Sequence, residues 1–216
     1  MTCEIFSPDY TFVGGSDFLD PRSPNSQTED LDDEYLHTVS IHGREYQKYS
    51  IDNQVSFEPV DEDEAERLDF QHRILSKVFD HRLVFPPISH LRRVLDCGYG
   101  TGSWAIDVAE QNPDCEVRSL PRNAPLEIKL AEFFQVTGVD IYPFMNPDDT
   151  PENLWLQVDD LNRPFTFSPN YFDLVHSRLL AAGIDRSRWP SYISDIKRFG
   201  FGGGPVLPNQ LLPVRG

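Results

Sequence analysis

A chain of 216 residues has room for one domain with a sizeable core and is short for two. Asp and Glu number 35 against 19 Lys and Arg, and the resulting charge of −16 repels nucleic-acid backbones and anionic lipid. Direct nucleic-acid and membrane-surface binding are therefore excluded by expectation, whereas a small molecule or a protein partner is compatible.

Cys3, Cys97 and Cys115 form no disulfide framework, and no Cys/His group has the spacing of a zinc site, so no metal is expected. The start, Met1-Thr2-Cys3-Glu4, lacks the basic and apolar segments of a secretory signal. Nowhere do about eighteen apolar residues run together, as a membrane-spanning helix needs. The expectation is an intracellular protein, cytoplasmic or nuclear.

Residues 1–34 are rich in Ser, Pro, Asp, Asn and Gly and read as a disordered acidic segment that cannot bury enough surface to offset its chain entropy. From Tyr35 to Val60, short alternating stretches around Gly43-Arg44-Glu45-Tyr46 predict a strand or loop lying on the main domain, which runs over 35–199. Asp61 to Asp80 predicts a helix. Its acidic first residues suit the positive end of the helix dipole, and Ala65, Leu68, His72, Leu75 and Phe79 recur on one packing face. His72 on that face reads as a core residue.

Arg93-Val94-Leu95-Asp96-Cys97 reads as a buried strand, followed by a glycine turn and a helix over Ser103 to Gln111 that buries Trp104, Val108 and Ala109. Strand, glycine loop and helix open a parallel α/β sheet. Further strands are predicted at Gln135 to Ile141, Leu154 to Val158 and Tyr171 to His176. Residues 200–216 carry Gly202, Gly203, Gly204, Pro205, Pro208 and Pro213 without periodicity and read as a tail.

The loop Gly98-x-Gly100-Thr101-Gly102 lets a ligand approach the backbone without side-chain obstruction. Dinucleotide enzymes use a similar device, but here Ser103 stands where their third glycine belongs, and Asp96 ends the strand. A carboxylate there repels a pyrophosphate and suits a ligand carrying an ammonium and a sulfonium. A nucleotide-dependent oxidoreductase is thus the weaker reading. Alternatively, Asp96 caps the turn.

Asp140 ends the second strand, where an acid can accept hydrogen bonds from both ribose hydroxyls; a helix cap is the other reading. At the end of the third strand, Asp159 or Asp160 can accept from the exocyclic amine of adenine, with Ile141 or Leu161 flanking the ring. Equally, the two acids form a solvated turn. His176 reaches the carboxyl edge of the sheet, either to orient a cofactor, to act as a base, or as a satisfied structural histidine.

These segments, Arg93 to Ala109, Val136 to Pro143 and Tyr171 to Ile184, resemble the fungal LaeA-like methyltransferases. So do the helix with Glu66-Arg67-Leu68-Asp69-Phe70-Gln71-His72, and Trp189-Pro190 with Ile193, Asp195, Ile196, Lys197 and Arg198. The resemblance implies a Rossmann-like, doubly wound, mostly parallel α/β sheet of seven strands. It also implies S-adenosyl-L-methionine as donor, bound by the loop from Asp96 to Gly102, by Asp140 with Ile141, by Asp159 and Asp160, and by His176. The expected function is methyl transfer in secondary metabolism or its regulation, to an acceptor that does not follow from the resemblance. The alternatives are a non-catalytic regulator that binds the cofactor and works through a protein partner, and an inactive fragment.

Two departures stand out. Asp140 lies 42 residues beyond Gly98, where about twenty is usual for this fold. Removing an atypical insertion, residues 118–136, would join Glu116-Val117 to Thr137-Gly138-Val139-Asp140. That piece reads either as a retained intron or as a surface excursion with a helix at Leu126 to Phe134. After Arg198 the family's closing strands are replaced by the glycine-rich tail.

Overall fold

The computed structural model describes residues 31–88, 91–113, 134–143 and 150–200. Within them the chain forms β1 (Thr38–Ile41), β2 (Arg44–Gln47), α1 (Lys48–Asn53), α2 (Glu62–Val78), β3 (Arg93–Cys97) and α3 (Ser103–Gln111). There follow β4 (Gln135–Asp140), β5 (Leu154–Val158), β6 (Leu174–Ser177) and α4 (Trp189–Phe199).

The central sheet is parallel and ordered β5-β4-β3-β6. Alternation along the strands sends side chains to both faces. Val94 and Val136 pack with Trp104, Ala105 and Val108 of α3, while Leu95, Cys97 and Val139 pack with Tyr192, Ile196 and Phe199 of α4. Helices on opposite faces of a parallel sheet make the fold doubly wound and Rossmann-like. The chain moves one way from β3 to β4 to β5 and then crosses to β6, so the carboxyl end of β3 is a topological switch point. Ligands of open α/β sheets bind there.

α2 starts as its sequence dictates. The Asp61 side chain accepts the Glu64 N–H at 3.1 Å and also holds the Arg44 guanidinium, which keeps its carboxyl well below the usual range. Ala65 and His72 of the anticipated face are buried and Leu68 and Leu75 half-buried. Phe79, however, is largely exposed beyond the last turn, where it meets the Phe85 ring edge-on. α4 opens with Trp189-Pro190, a residue suited to a first helical turn, and buries Tyr192, Ile196 and Phe199 on one stripe.

Several expectations need correction. Asp33 and Glu34, inside the segment anticipated as disordered, belong to a 3₁₀ turn over Asp33–Leu36 capped by Asp32; residues 1–30 lie outside the described residues. The 35–60 region is a β1–β2 hairpin followed by α1. The carboxyl border of the anticipated insertion falls inside β4, where Val136 is fully buried opposite Val94; residues 118–133, including most of the anticipated Leu126–Phe134 helix, lie outside the described residues. β6 begins at Leu174, not Tyr171, because Asp173 turns its carboxylate onto the Arg92 and Arg93 N–H groups at 2.9 and 2.8 Å. Gly200 is not yet tail: it forms a parallel bridge with Phe172, and residues 201–216 lie outside the described residues. Among the described residues four parallel strands form the sheet, and no helix is long and apolar enough to cross a membrane.

Candidate functional site

The parallel register fixes what meets at the switch point. Cys97 pairs with Val139 on one side and Ser177 on the other, so Asp140, Gly98 and Arg178 leave adjacent strand ends side by side. Gly98 has φ +71°, and a Cβ there would lie 2.2 Å from Leu180 Cδ2, so only glycine fits both the turn and its neighbour. Gly102 (φ +80°) is the N-cap of α3.

Two carboxylates hold the loop. Asp140 Oδ2 accepts the Gly100 N–H at 2.9 Å, and its Oδ1 accepts the Tyr142 N–H at 3.3 Å. Burial nevertheless pushes the Asp140 carboxyl up to about 6, because the desolvation of its anion outweighs these bonds. On the other side, Asp69 of α2 accepts from both Thr101 Oγ1 and Ser103 Oγ at 2.6 Å.

Behind the loop, the Asp96 carboxylate is not a turn cap. Its Oδ1 meets His176 Nδ1 at 2.7 Å across the β3–β6 register, and both residues are buried. The His176 ring stacks on the Trp104 indole, centroids 3.6 Å apart, and the indole N–H donates to Leu83 O at 3.2 Å. This geometry gives His176 a satisfied structural setting.

A cleft opens over the loop. Of the anticipated residues, Asp96, Gly98, Gly100, Thr101, Asp140, Ile141, Asp160 and His176 line it, whereas Gly102 and Asp159 do not. Asp160 is buried, unlike a solvated turn. Its Oδ1 accepts the Asn162 N–H at 2.9 Å, and Asp159 Oδ1 accepts the Asp160 N–H at 2.8 Å, so the pair shapes the bend after β5. Burial raises the Asp159 carboxyl.

Sequence reasoning missed the far wall. Val55, Ser56 and Glu58, from the α1–α2 connection, face the loop together with Leu68, Gln71 and His72 of α2. Nothing local in Val55 to Glu58 signals a ligand wall, since it is made by tertiary docking. His72 is buried, as its helical face implies, yet it joins polar groups: its Nε2 lies 2.9 Å from Asp107 Oδ2 and its Nδ1 3.3 Å from Arg178 Nη2. Arg178 was legible only as a residue delivered to the sheet edge. Among the described residues no group of three or more His, Cys, Asp or Glu is placed to hold a metal.

No family model matches the chain. It is 32% identical over 117 residues to methyltransferase str3 of Strobilurus tenacellus, covering 54% of this chain and 35% of that protein. It is 31% identical over 140 residues to the secondary metabolism regulator laeA of Monascus pilosus, covering 63% and 32%. Methyltransferase pytC of Aspergillus terreus is 28% identical over 153 residues, 70% of this chain and 40% of that protein. The chain thus spans about a third of the length of these relatives. Among solved structures, a methyltransferase of Methanosarcina mazei superposes with a TM-score of 0.36 at 17% identity, over 54% of this chain and 51% of that one. The fold assignment rests on the strand order and register of the chain itself.

Proposed function

We propose that this LaeA-like chain binds S-adenosyl-L-methionine in the cleft at the end of β3 and transfers its methyl group to a small-molecule or protein acceptor, in fungal secondary metabolism or its regulation. The observation that carries the reading is the convergence on one cleft of a loop that presents bare backbone at Gly98 and Gly100, the desolvated acceptor Asp140 and the apolar flanks Ile141 and Leu161. That set suits a nucleoside: a carboxylate for the two ribose hydroxyls, apolar groups for the base, and backbone for the chain crossing the loop. Asp160 is the better acceptor for an adenine amine, because it lines the cleft and Asp159 does not.

When bound, the donor supplies an activated methyl on a sulfonium, so the protein's task is orientation, which contributes on the order of 7–11 kcal/mol in well-aligned reactions. Asp140 and Asp69 hold the glycine loop in shape, and the Asp96–His176–Trp104 stack keeps its floor rigid. No general base is assigned, since an activated sulfonium needs orientation more than proton removal. A second reading, a regulator that binds the cofactor and acts through a partner protein, is favoured by the similarity to proteins named as regulators.

Calorimetric titration of S-adenosylhomocysteine into the purified chain tests both readings at once. Saturable binding is expected, weakened about tenfold or more (about 1.4 kcal/mol) in Asp140→Asn. Turnover on metabolite extracts would mark the enzyme, and binding without turnover the regulator. No binding by folded parent would overturn both.

A further inference from the structure

α2 carries two apolar faces, and the domain uses one of them. Ala65, His72 and the half-buried Leu68 and Leu75 turn inward, whereas Phe70, Ile74 and Val78 are 57, 45 and 65% exposed. Their spacing of four residues places all three within roughly 80° of one another on the outer side of the helix. Single exposed apolar residues are ordinary, but a row of three on one helix marks a contact surface. The flank of this stripe changes sign along the helix: Glu62 and Glu66 occupy its amino half, Arg73 and Lys77 its carboxyl half. Among the described residues none of these four has an ion-pair partner, whereas Arg67 is committed to Glu64, and Asp69 to Thr101 and Ser103. Each half sets like charges four residues apart, which is unfavourable on a helix left to itself. The Arg73 guanidinium lies over the Phe70 ring, 5.7 Å from its centroid, so the basic half already touches the stripe.

The change of sign says what covers the stripe. A uniformly acidic or basic partner would be attracted by one half of α2 and repelled by the other. A second copy of α2 running antiparallel meets each half with the opposite charge. With a two-fold axis midway between Phe70 and Ile74, Phe70 of one copy lies level with Ile74 of the other. Glu66 then falls within one residue, about 1.5 Å along the helix, of the level of Lys77 in the second copy. The interface is isologous, so each contact occurs twice. We propose that two copies of this chain associate through α2, with Phe70 and Ile74 forming the apolar seam and Glu66 pairing with Lys77 of the second copy on its flank. One helix from each side is a small interface, in the class that buries less than about 1,200 Å², so the dimer is weak and dissociates in the micromolar range. The charge of −16 on each chain does not forbid it, since charges more than about 8 Å from the seam are screened at physiological salt. Leu68 and His72, on the other side of α2, keep their places in the cleft wall, and the proposal stands apart from the cofactor reading.

The test is sedimentation equilibrium of the full chain from low micromolar to several hundred micromolar, with Ile74→Glu, Glu66→Lys, Lys77→Glu and the double variant Glu66→Lys/Lys77→Glu. The expected result is a shift from one chain to two with rising concentration, and a dissociation constant raised about tenfold or more by Ile74→Glu. Either charge reversal alone should weaken the dimer less, and the double variant, which restores opposite charges across the seam, should return to within about threefold of the parent. The three positions are exposed, and cooperative urea unfolding of each variant verifies that its fold is intact. A parent that stays monomeric throughout overturns the proposal and leaves the stripe to another segment of the chain or to a different protein. A dimer that Ile74→Glu leaves intact overturns it too, because the contact then lies elsewhere. A double variant no tighter than either single reversal would refute the antiparallel pairing.

Discussion

Asp140 combines two demands that conflict, and Asp140→Asn separates them. Its carboxyl titrates near 6, against 3.8 for a free aspartate, chiefly because the folded chain desolvates the anion. With the folded value raised, the native state holds a proton that the unfolded chain has already released between these two values. Stability therefore falls as pH climbs from about 4 through 6, and the cost is complete by about pH 7. The full shift corresponds to roughly 3 kcal/mol, and the part lost between pH 5 and pH 7.5 to about 1.4 kcal/mol. Asn keeps an acceptor for the Gly100 N–H and removes the charge. Urea unfolding of parent and variant at pH 5 and pH 7.5 is the assay. The stability advantage of Asp140→Asn should widen by about 1 kcal/mol at the higher pH, while S-adenosylhomocysteine affinity drops. Parallel pH dependences for the two proteins would refute the argument that this carboxylate is held desolvated at the expense of the fold.

Two further outcomes are expected. Gly98→Ala forces a left-handed alanine, costing roughly 1–2 kcal/mol, and a methyl into Leu180, costing roughly 1–3 more, so urea denaturation should show a loss of at least about 2 kcal/mol. A loss under about 0.5 kcal/mol would mean that Leu180 simply swings away. Deleting residues 118–136 brings Val117 to the buried position of Val136 and Glu116 to that of Gln135, so β4 should still pair with β3. That variant is expected to unfold cooperatively at an equal or higher urea midpoint, and loss of a cooperative transition would show that the segment belongs to the fold.

What the sequence disclosed follows from how local each signal is. β3, α3 and β5 were readable to the residue, since each is a short apolar run or a helical face bounded by glycine or a polar turn. The glycine loop and Asp140 were readable because their chemistry sits at strand ends. The start of β6 was misjudged: Asp173, inside an apparent strand, spends its side chain on the β3 backbone, a choice visible only once the strands are adjacent. The pairing of Asp96 with His176 was not legible for the same reason, as the two lie 80 residues apart. The wall at Val55 to Glu58 and the buried setting of Arg178 are products of docking between segments and leave no periodic trace.

Gln47 carries a consequence for how the molecule comes together. Its buried carboxamide donates to Tyr35 O at 2.8 Å and to Ile141 O at 3.0 Å, across 94 residues of chain. Joining the hairpin to the sheet therefore closes a long loop, whose entropy is spent before its contacts are won. Elements secured last by few contacts are also first to detach in local opening. The wall of the cleft is thus moored twice, by the Gln47 carboxamide at the tip of the second parallel strand and by the Tyr49 hydroxyl, which accepts from Arg163 beyond the third.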